Sequence, residues 1–262
     1  MKIHFLGTSH GIAERDRFTS SIAVQVAERV YVIDAGAPIM KLLLDKNFTP
    51  ADVAGIFITH SHCDHYLGLV EFMNQVECFR EFEGVKIKVY APELFPFKKM
   101  REFLFGEETE GVFIPPKTGG SRRKDDGEGQ RVGCEFYSSG EIFNDGNVRI
   151  SAIKTMHMAD SHAFLFEAEG KRVLFTGDLR PDLTDFPEIA FSEKLDLVVT
   201  EAAHPMINAD NTINTFSKVL SERLVITHVC PFRNTPEVFS EAKAKLDSRS
   251  ITPVTDGDII EL

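Results

Sequence analysis

The sequence predicts an α/β fold in which two β-sheets pack face to face and helices cover their outer sides, a four-layer αββα sandwich. Three observations predict it. Short apolar runs of strand length come in two successive series along the chain, with helical stretches between them. Residues able to carry chemistry fall at the C-terminal ends of several of those runs, which gathers them along one edge of a sandwich. The chain has 262 residues, 43% of them hydrophobic and 26% charged, enough for one large core and for a single domain over 1–262.

The first series of strands is expected at Ile3–Leu6, Ile22–Val26, Val30–Ile33 and Gly55–Thr59. A helix is expected over Pro38–Asp45, opening into Asn47-Phe48-Thr49-Pro50, and another over Gly68–Phe82. The second series of strands runs Val85–Tyr90, Val148–Ile153, Phe164–Glu167, Val173–Phe175, Leu197–Thr200 and Leu224–Thr227. Helices follow at Thr212–Ser221 and Pro236–Leu246, the latter with Thr235 placed to cap it and Pro236 in its first turn. Between these series, about 92–133 is rich in phenylalanine: Phe95, Phe97, Phe103, Phe105 and Phe113. Gly106, Gly111, Pro115 and Pro116 interrupt it, so an inserted cap is expected rather than a regular layer. Its phenylalanines read as cover for a core or as a contact in a homodimer, with a hydrophobic wall to a substrate pocket as the alternative.

The segment His60-Ser61-His62-Cys63-Asp64-His65 stands directly after the run Gly55–Thr59 and packs His60, His62, Asp64 and His65 into six positions. Crowded imidazoles resist protonation and a carboxylate needs a charged or hydrogen-bonding partner, so a divalent cation satisfies all four. Two ligands at i and i+2 project to the same side of an extended chain, and the Asp-His pair that follows can reach an adjacent position as the chain turns. That spacing suggests two metals. The remaining ligands are expected just past other apolar strands, where His157, Asp178 and His228 stand. Taken singly, a strand-end histidine is more often a hydrogen-bonded surface residue, and a Gly-Asp pair is more often a turn.

The order HxHxDH, then His, then Gly-Asp, then Thr-His resembles the metallo-β-lactamase superfamily across nearly the whole chain. The resemblance implies that fold. It further implies that His60, His62 and His157 hold one metal, that Asp64, His65 and His228 hold the other, and that Asp178 bridges them. Phe5-Leu6-Gly7-Thr8-Ser9, Arg17-Phe18-Thr19-Ser20-Ser21, Thr200-Glu201-Ala202-Ala203-His204 and Ile226-Thr227-His228-Val229-Cys230-Pro231 are similar to motifs of the ribonuclease Z and cyclic-phosphodiesterase branch. Two features depart from that branch. Cys230 stands where a serine is usual, and only 21 positions separate His157 from Asp178, where ribonuclease Z carries a long tRNA-gripping arm. That interval has room for a hairpin over Ala163–Phe175 turning at Glu169-Gly170, as in small phosphodiesterases that open cyclic phosphates.

Two cations about 3.5–4 Å apart lower the pKa of a bridging water towards neutrality, and their open positions polarise a substrate oxygen, which makes a hydrolase. Asp64 and Asp178 supply the negative charge that holds the metals, and Asp64 is placed with His204 among the catalytic residues. The resemblance makes His204 the general acid, protonating the leaving alkoxide or orienting the phosphate; the plainer reading is a loop histidine before Pro205. Glu201 is a candidate to orient an imidazole from outside the ligand set. His10 lies in a glycine-bounded loop that the resemblance places near the metals and within reach of substrate, whereas His4 belongs to the first strand. Zinc is the expected cation, with manganese also suited to nitrogen and oxygen ligands.

Composition excludes several classes. The net charge of −11 argues against extended nucleic acid as a partner, and the small-molecule phosphodiester is what the resemblance implies. Arg122-Arg123-Lys124 is the one concentrated basic patch, followed by Asp125-Asp126-Gly127-Glu128, and reads as a solvated loop or a substrate-gripping lid. No apolar stretch reaches the length of a membrane span, and Met1–Gly7 starts a strand rather than a signal peptide, so a cytoplasmic location with no membrane partner is expected. Cys63, Cys78, Cys134 and Cys230 lack CxxC spacing and are expected as free thiols; Cys63 and Cys230 fall beside the metals of the inferred fold and read as small packing residues and oxidation liabilities, with a thiolate ligand as the alternative. The leading function is a two-metal phosphodiesterase for small or cyclic phosphodiesters. The alternatives are a lactone, thioester or other carboxylic-ester hydrolase, a tRNA 3′-processing endonuclease, and a metal-binding sensor with little turnover.

Overall fold

Along the central strands successive side chains enter different cores, and this alternation sets the layers of the molecule. The computed structural model describes residues 1–12, 14–109, 112–114, 130–246 and 251–262. In chain order the first half contributes β1 (Lys2–Gly7), β2 (Ser21–Val26), β3 (Arg29–Ile33), α1 (Ile39–Asp45), β4 (Val53–Phe57), α2 (Leu67–Cys78), β5 (Ile87–Pro92) and α3 (Phe97–Phe105). A small antiparallel pair, β6 (Glu107–Thr109) and β7 (Val112–Ile114), precedes β8 (Val132–Tyr137). The second half contributes β9 (Gly140–Asn144), β10 (Val148–Lys154), β11 (His162–Ala168), β12 (Lys171–Phe175), α4 (Ile189–Ser192), β13 (Leu195–Ala202), α5 (Asp210–Lys218), β14 (Ser221–Val229), α6 (Pro236–Lys245), β15 (Ile251–Pro253) and β16 (Ile259–Glu261).

Two mixed seven-stranded sheets result, in the orders β16-β1-β2-β3-β4-β5-β8 and β15-β14-β13-β12-β11-β10-β9. Each is antiparallel at one end and parallel at the other. Tyr31, Ile33, Phe57, Phe164, Phe166, Phe175, Val199 and Val225 fill the space between the sheets. Their strand neighbours Val30, Val32 and Ile56 face a second core beneath α1, α2 and α3, with Leu43, Phe72 and Phe97. Leu174, Val198 and Ile226 face a third core, with Phe216 of α5 and Phe239 of α6. The four-layer sandwich expected from the two series of apolar runs is therefore observed.

Local differences have local causes. The helix expected over Gly68–Phe82 ends at Cys78, and a single 3₁₀ turn follows at Arg80–Phe82. The buried guanidinium of Arg131 donates to the Val76 and Phe79 carbonyls at 3.1 and 2.9 Å, giving partners to carbonyls that a helix end leaves free. The helix expected over Thr212–Ser221 lies instead at Asp210–Lys218, because Ser221 opens β14 opposite Leu195. Thr235 caps α6 as expected, accepting from Val238 N at 3.5 Å. Part of the phenylalanine-rich stretch is regular: α3 packs on α2, with Phe95, Phe97 and Met100 buried and Phe103 76% exposed. Gly111, Pro115, Pro116, the basic run at 121–124 with its acidic sequel, and the side chain of Phe113 lie outside the described residues. Among the described residues no helix is long and apolar enough to cross a membrane.

Phe57 is fully buried, stacks on Tyr90 at 4.9 Å between ring centroids and meets Phe143 and Phe164 edge-on. Phe57→Ala is expected to cost about 3–5 kcal/mol in urea unfolding. Leu94→Ala, at a side chain 67% exposed, is the control and should stay within about 0.5 kcal/mol of the parent.

Candidate metal centre

Five segments converge where the C-terminal ends of strands from both sheets meet. After β4 the chain continues through Ile58 and Thr59, pinned by Ile58 N to the Tyr90 carbonyl at 2.9 Å and by Thr59 N to Asp34 Oδ1 at 2.8 Å. His60 and His62 follow, and a 3₁₀ turn over Cys63–His65 swings Asp64 and His65 to the other side. His157 lies in the loop between β10 and β11, and Asp178 in the turn after β12. That turn needs its glycine. Gly177 has φ +59°, and a Cβ there would sit 3.1 Å from the His162 carbonyl and from Thr59 Cβ.

His228 is aimed by a β-bulge. Glu201 pairs with Thr227 and Ala202 with Val229, so His228 is the extra residue of β14. Its backbone is left-handed, φ +50°, a conformation rare for a histidine and found where surrounding structure enforces it. Its Nδ1 is held at 2.9 Å by the Ser9 carbonyl.

The ligand-type atoms fall into two groups. Those of His60, His62, His157 and Asp178 all lie within 4.8 Å of one another, as do those of Asp64, His65 and His228. In the first, His62 Nδ1 stands 3.0 Å from His60 Nε2 and 3.2 Å from His157 Nε2, and Asp178 Oδ2 stands 3.7 and 3.8 Å from those two Nε2 atoms. In the second, His65 Nε2 and His228 Nε2 lie 3.4 and 3.6 Å from Asp64 Oδ2. Asp178 reaches this group as well, with Oδ1 3.4 Å from His65 and Oδ2 3.4 Å from His228. A tetrahedral zinc with nitrogen ligands at about 2.0–2.1 Å has ligand edges of about 3.3 Å, the same scale. His65 Nε2 and Asp178 Oδ1 are buried without a hydrogen-bond partner, and a cation between them supplies what both lack. The donor set fits divalent metal.

The electrostatics agree. Burial, with His65 close by, holds His60 well below the usual histidine range, and burial also lowers His157, so both rings favour the neutral form that binds metal. Burial opposes charge on His65, but Asp178 and Asp34 outweigh it and raise its pKa; Asp178 does the same for His228. Burial pushes Asp178 up, yet His228 and His65 outweigh it and hold the carboxyl well below its usual range. The field around Asp178 calls for positive charge.

A third group, Asp178, Glu201 and His204, reads differently. Glu201 is already saturated: Oε1 accepts from Leu179 N at 3.0 Å and His204 Nδ1 at 2.9 Å, and Oε2 from Ala203 N at 2.6 Å and His204 N at 2.9 Å. Its carboxylate therefore orients His204, whose ring lies 4.4 Å from that of His157. Burial lowers the His204 pKa, but the Glu201 hydrogen bond and charge outweigh it, and the net shift is upward.

His10 is buried beside Phe232, ring centroids 6.3 Å apart, with both nitrogens lacking a hydrogen bond. Its loop touches the site through Gly11, whose Cβ position is 3.3 Å from Asp64 Oδ2. His4 lies in β1, as expected. All four cysteines are free, but Cys63 is exposed rather than packed, while Cys230 is buried. Sequence reasoning missed Asp34, which accepts from His65 Nδ1 at 2.7 Å and from Thr59 N and Oγ1. The signal was its place at the end of the apolar run Val30–Ile33, the same placement that singled out the other site residues.

A family model described as Anti-Pycsar protein Apyc1 matches residues 1–229. Ribonuclease Z of Shouchella clausii is 35% identical over 178 residues, 65% of this chain and 49% of that protein. The chain thus spans about half the length of the curated relatives it matches. YhfI of Bacillus subtilis, a metallo-β-lactamase fold protein, superposes with a TM-score of 0.73 at 16% identity over 99% of each chain. The short form of human tRNase Z gives 0.66 at 20% identity over 100% of this chain and 99% of its own. The fold is that of the metallo-β-lactamases.

Removing an outer-shell carboxylate that orients a ligating histidine typically costs 10–100-fold in metal affinity. Asp34→Ala is therefore expected to weaken divalent-metal binding by about that factor in a chelator-competition titration.

Proposed function

The chain is a metallo-β-lactamase-fold hydrolase that belongs to the Anti-Pycsar protein Apyc1 family, and on that premise we propose that it is a two-metal phosphodiesterase acting on small or cyclic phosphodiesters. The observation that carries this reading is the approach of Asp178 to both ligand groups, 3.4 Å from His65 and from His228 and 3.7 Å from His60, with His204 held alongside. His60, His62 and His157 would hold one divalent cation, zinc or manganese, and Asp64, His65 and His228 the other, with Asp178 between them. Bound there, the cations supply Lewis-acid charge at the phosphoryl oxygens and acidify water for attack.

The chain's own groups do the rest. Asp64 and Asp178 provide the negative charge that fixes the positive centre. His204 donates a hydrogen bond from Nδ1–H to Glu201, which leaves Nε2 to pass a proton to the departing oxygen, and its raised pKa favours the acid form. A positioned acid of this kind matters for a poor alkoxide leaving group, as in a phosphodiester.

Substrate size is read from the interval between His157 and Asp178. It holds only the β11–β12 hairpin, turning at Glu169-Gly170, with no arm to grip an RNA. The net charge of −11 also disfavours a long polyanion. A ribonuclease Z-like endonuclease is the second reading, favoured by the 35% identity to that enzyme. Cleavage of a tRNA precursor would distinguish it.

The test is hydrolysis of bis(p-nitrophenyl) phosphate by zinc- or manganese-loaded protein. Asp178→Ala should lose metal and turnover together. His204→Ala should keep its metal while its rate on a cyclic nucleotide, whose leaving group is an alkoxide, falls by about 10²–10⁴-fold. A fully active His204→Ala variant removes that residue from the mechanism, and no turnover with either metal moves the reading to lactone or thioester hydrolysis.

A further inference from the structure

Three of the site histidines have the ring nitrogen opposite the cluster held by the protein: His60 Nδ1 by Thr59 Oγ1 at 3.0 Å, His65 Nδ1 by Asp34 at 2.7 Å and His228 Nδ1 by the Ser9 carbonyl at 2.9 Å. His157 differs. Among the described residues nothing hydrogen-bonds its Nδ1, so its position depends on the backbone of its loop.

That loop is braced on two sides by buried carboxylates. Asp185 Oδ2 accepts from Met156 N, the residue before His157, at 2.7 Å, while Oδ1 accepts from Arg180 N at 3.0 Å. One side chain thus ties the His157 loop to the segment just after Asp178. On the other side Asp160, from the same loop, accepts a hydrogen bond from the hydroxyl of Ser61, the residue between His60 and His62. Asp185 and Asp160 are only 7% and 4% exposed, although each takes its partners from loop segments. Within the loop Met158 N donates to Ser161 Oγ at 2.9 Å and Thr155 N to the Ser161 carbonyl at 3.1 Å, so the braced unit is internally stiff.

We propose that Asp185 and Asp160 are positioning residues for His157, fixing its distance from His60, His62 and Asp178. The cation position made by those residues then depends on the two braces, whereas the position made by Asp64, His65 and His228 does not. This rests on the two-cation reading of the site. Buried carboxylates that accept from backbone N–H and hydroxyl groups hold a fixed geometry at little entropic cost, and ligand sets tolerate only small errors in position.

The test is cation binding, independent of turnover. Wild type, Asp185→Ala, Asp185→Asn and Ser61→Ala are loaded with Co²⁺ or Zn²⁺ and titrated with a chelator, with bound metal per chain and the cobalt absorption spectrum as readouts. Ser61→Ala deletes only a hydroxyl and keeps the test valid where Asp185→Ala does not fold. The expected result is two cations in wild type and, in Asp185→Ala and Ser61→Ala, selective loss of one of them at about 10–100-fold lower chelator strength, with the second cation retained. Asp185→Asn, whose amide oxygen still accepts one of the two bonds, should fall between. Variants that hold both cations as tightly as wild type, or lose both in parallel, overturn the proposal. Wild type binding fewer than two cations overturns the two-cation reading itself, and the brace proposal with it.

Discussion

The buried carboxylate of Asp178 is the constraint around which the rest of the site is arranged. It is 3% exposed, and a lone ionised carboxylate at that depth is prohibitively costly unless positive charge stands beside it. Among the described residues no lysine or arginine pairs with it; its nitrogen partners within 4 Å are those of His60, His65, His157, His204 and His228. Five imidazoles around one carboxylate are a poor ion pair and a good ligand shell. The Gly177 turn and the bulge at His228 both serve to bring those rings to one point.

The two sheets contribute unequally. The first supplies its site residues from one continuous stretch, His60 to His65, with Asp34 of the neighbouring strand end as anchor. The second supplies His157, Asp178 and His204 from three separate connections and His228 from within β14, so each needs its own device to be aimed. These are a braced loop for His157, a left-handed glycine before Asp178, the saturated carboxylate of Glu201 for His204 and a bulge for His228. A local cluster is cheap to build from sequence, and a distributed one must be built from tertiary contacts.

That difference also sets what was legible in the sequence. The layers could be read because Tyr31 and Val32, or Leu174 and Phe175, alternate between cores, and strand period is visible in residue type. His60 through His65 announced themselves by density, and His157, Asp178 and His228 by standing past apolar runs. Asp34 stands past such a run too, but its role depends on a histidine 31 residues further on, a distance no local pattern reports. The early end of α2 could not be read, since it is set by Arg131 reaching back to Val76 and Phe79 across more than fifty residues. The start of β14 was misplaced for the same kind of reason: Ser221, Glu222 and Arg223 are polar, and pairing with β13 rather than composition makes them a strand.

A site assembled from both sheets has a thermodynamic consequence. His60, His62 and Asp64 are near one another even in an unfolded chain, but neither ligand group closes without a residue of the second half, His157 and Asp178 for one and His228 for the other. Those residues meet the first group only when the aromatic core between the sheets, Phe57 against Phe164 among its contacts, has formed. Any cation held by either group therefore binds the packed sandwich in preference to the unfolded chain. Its binding free energy adds to the stability of the interface between the sheets rather than to either sheet alone. A cation so held would be a clamp across the sandwich, closing the same packing that imposes the left-handed backbone at His228.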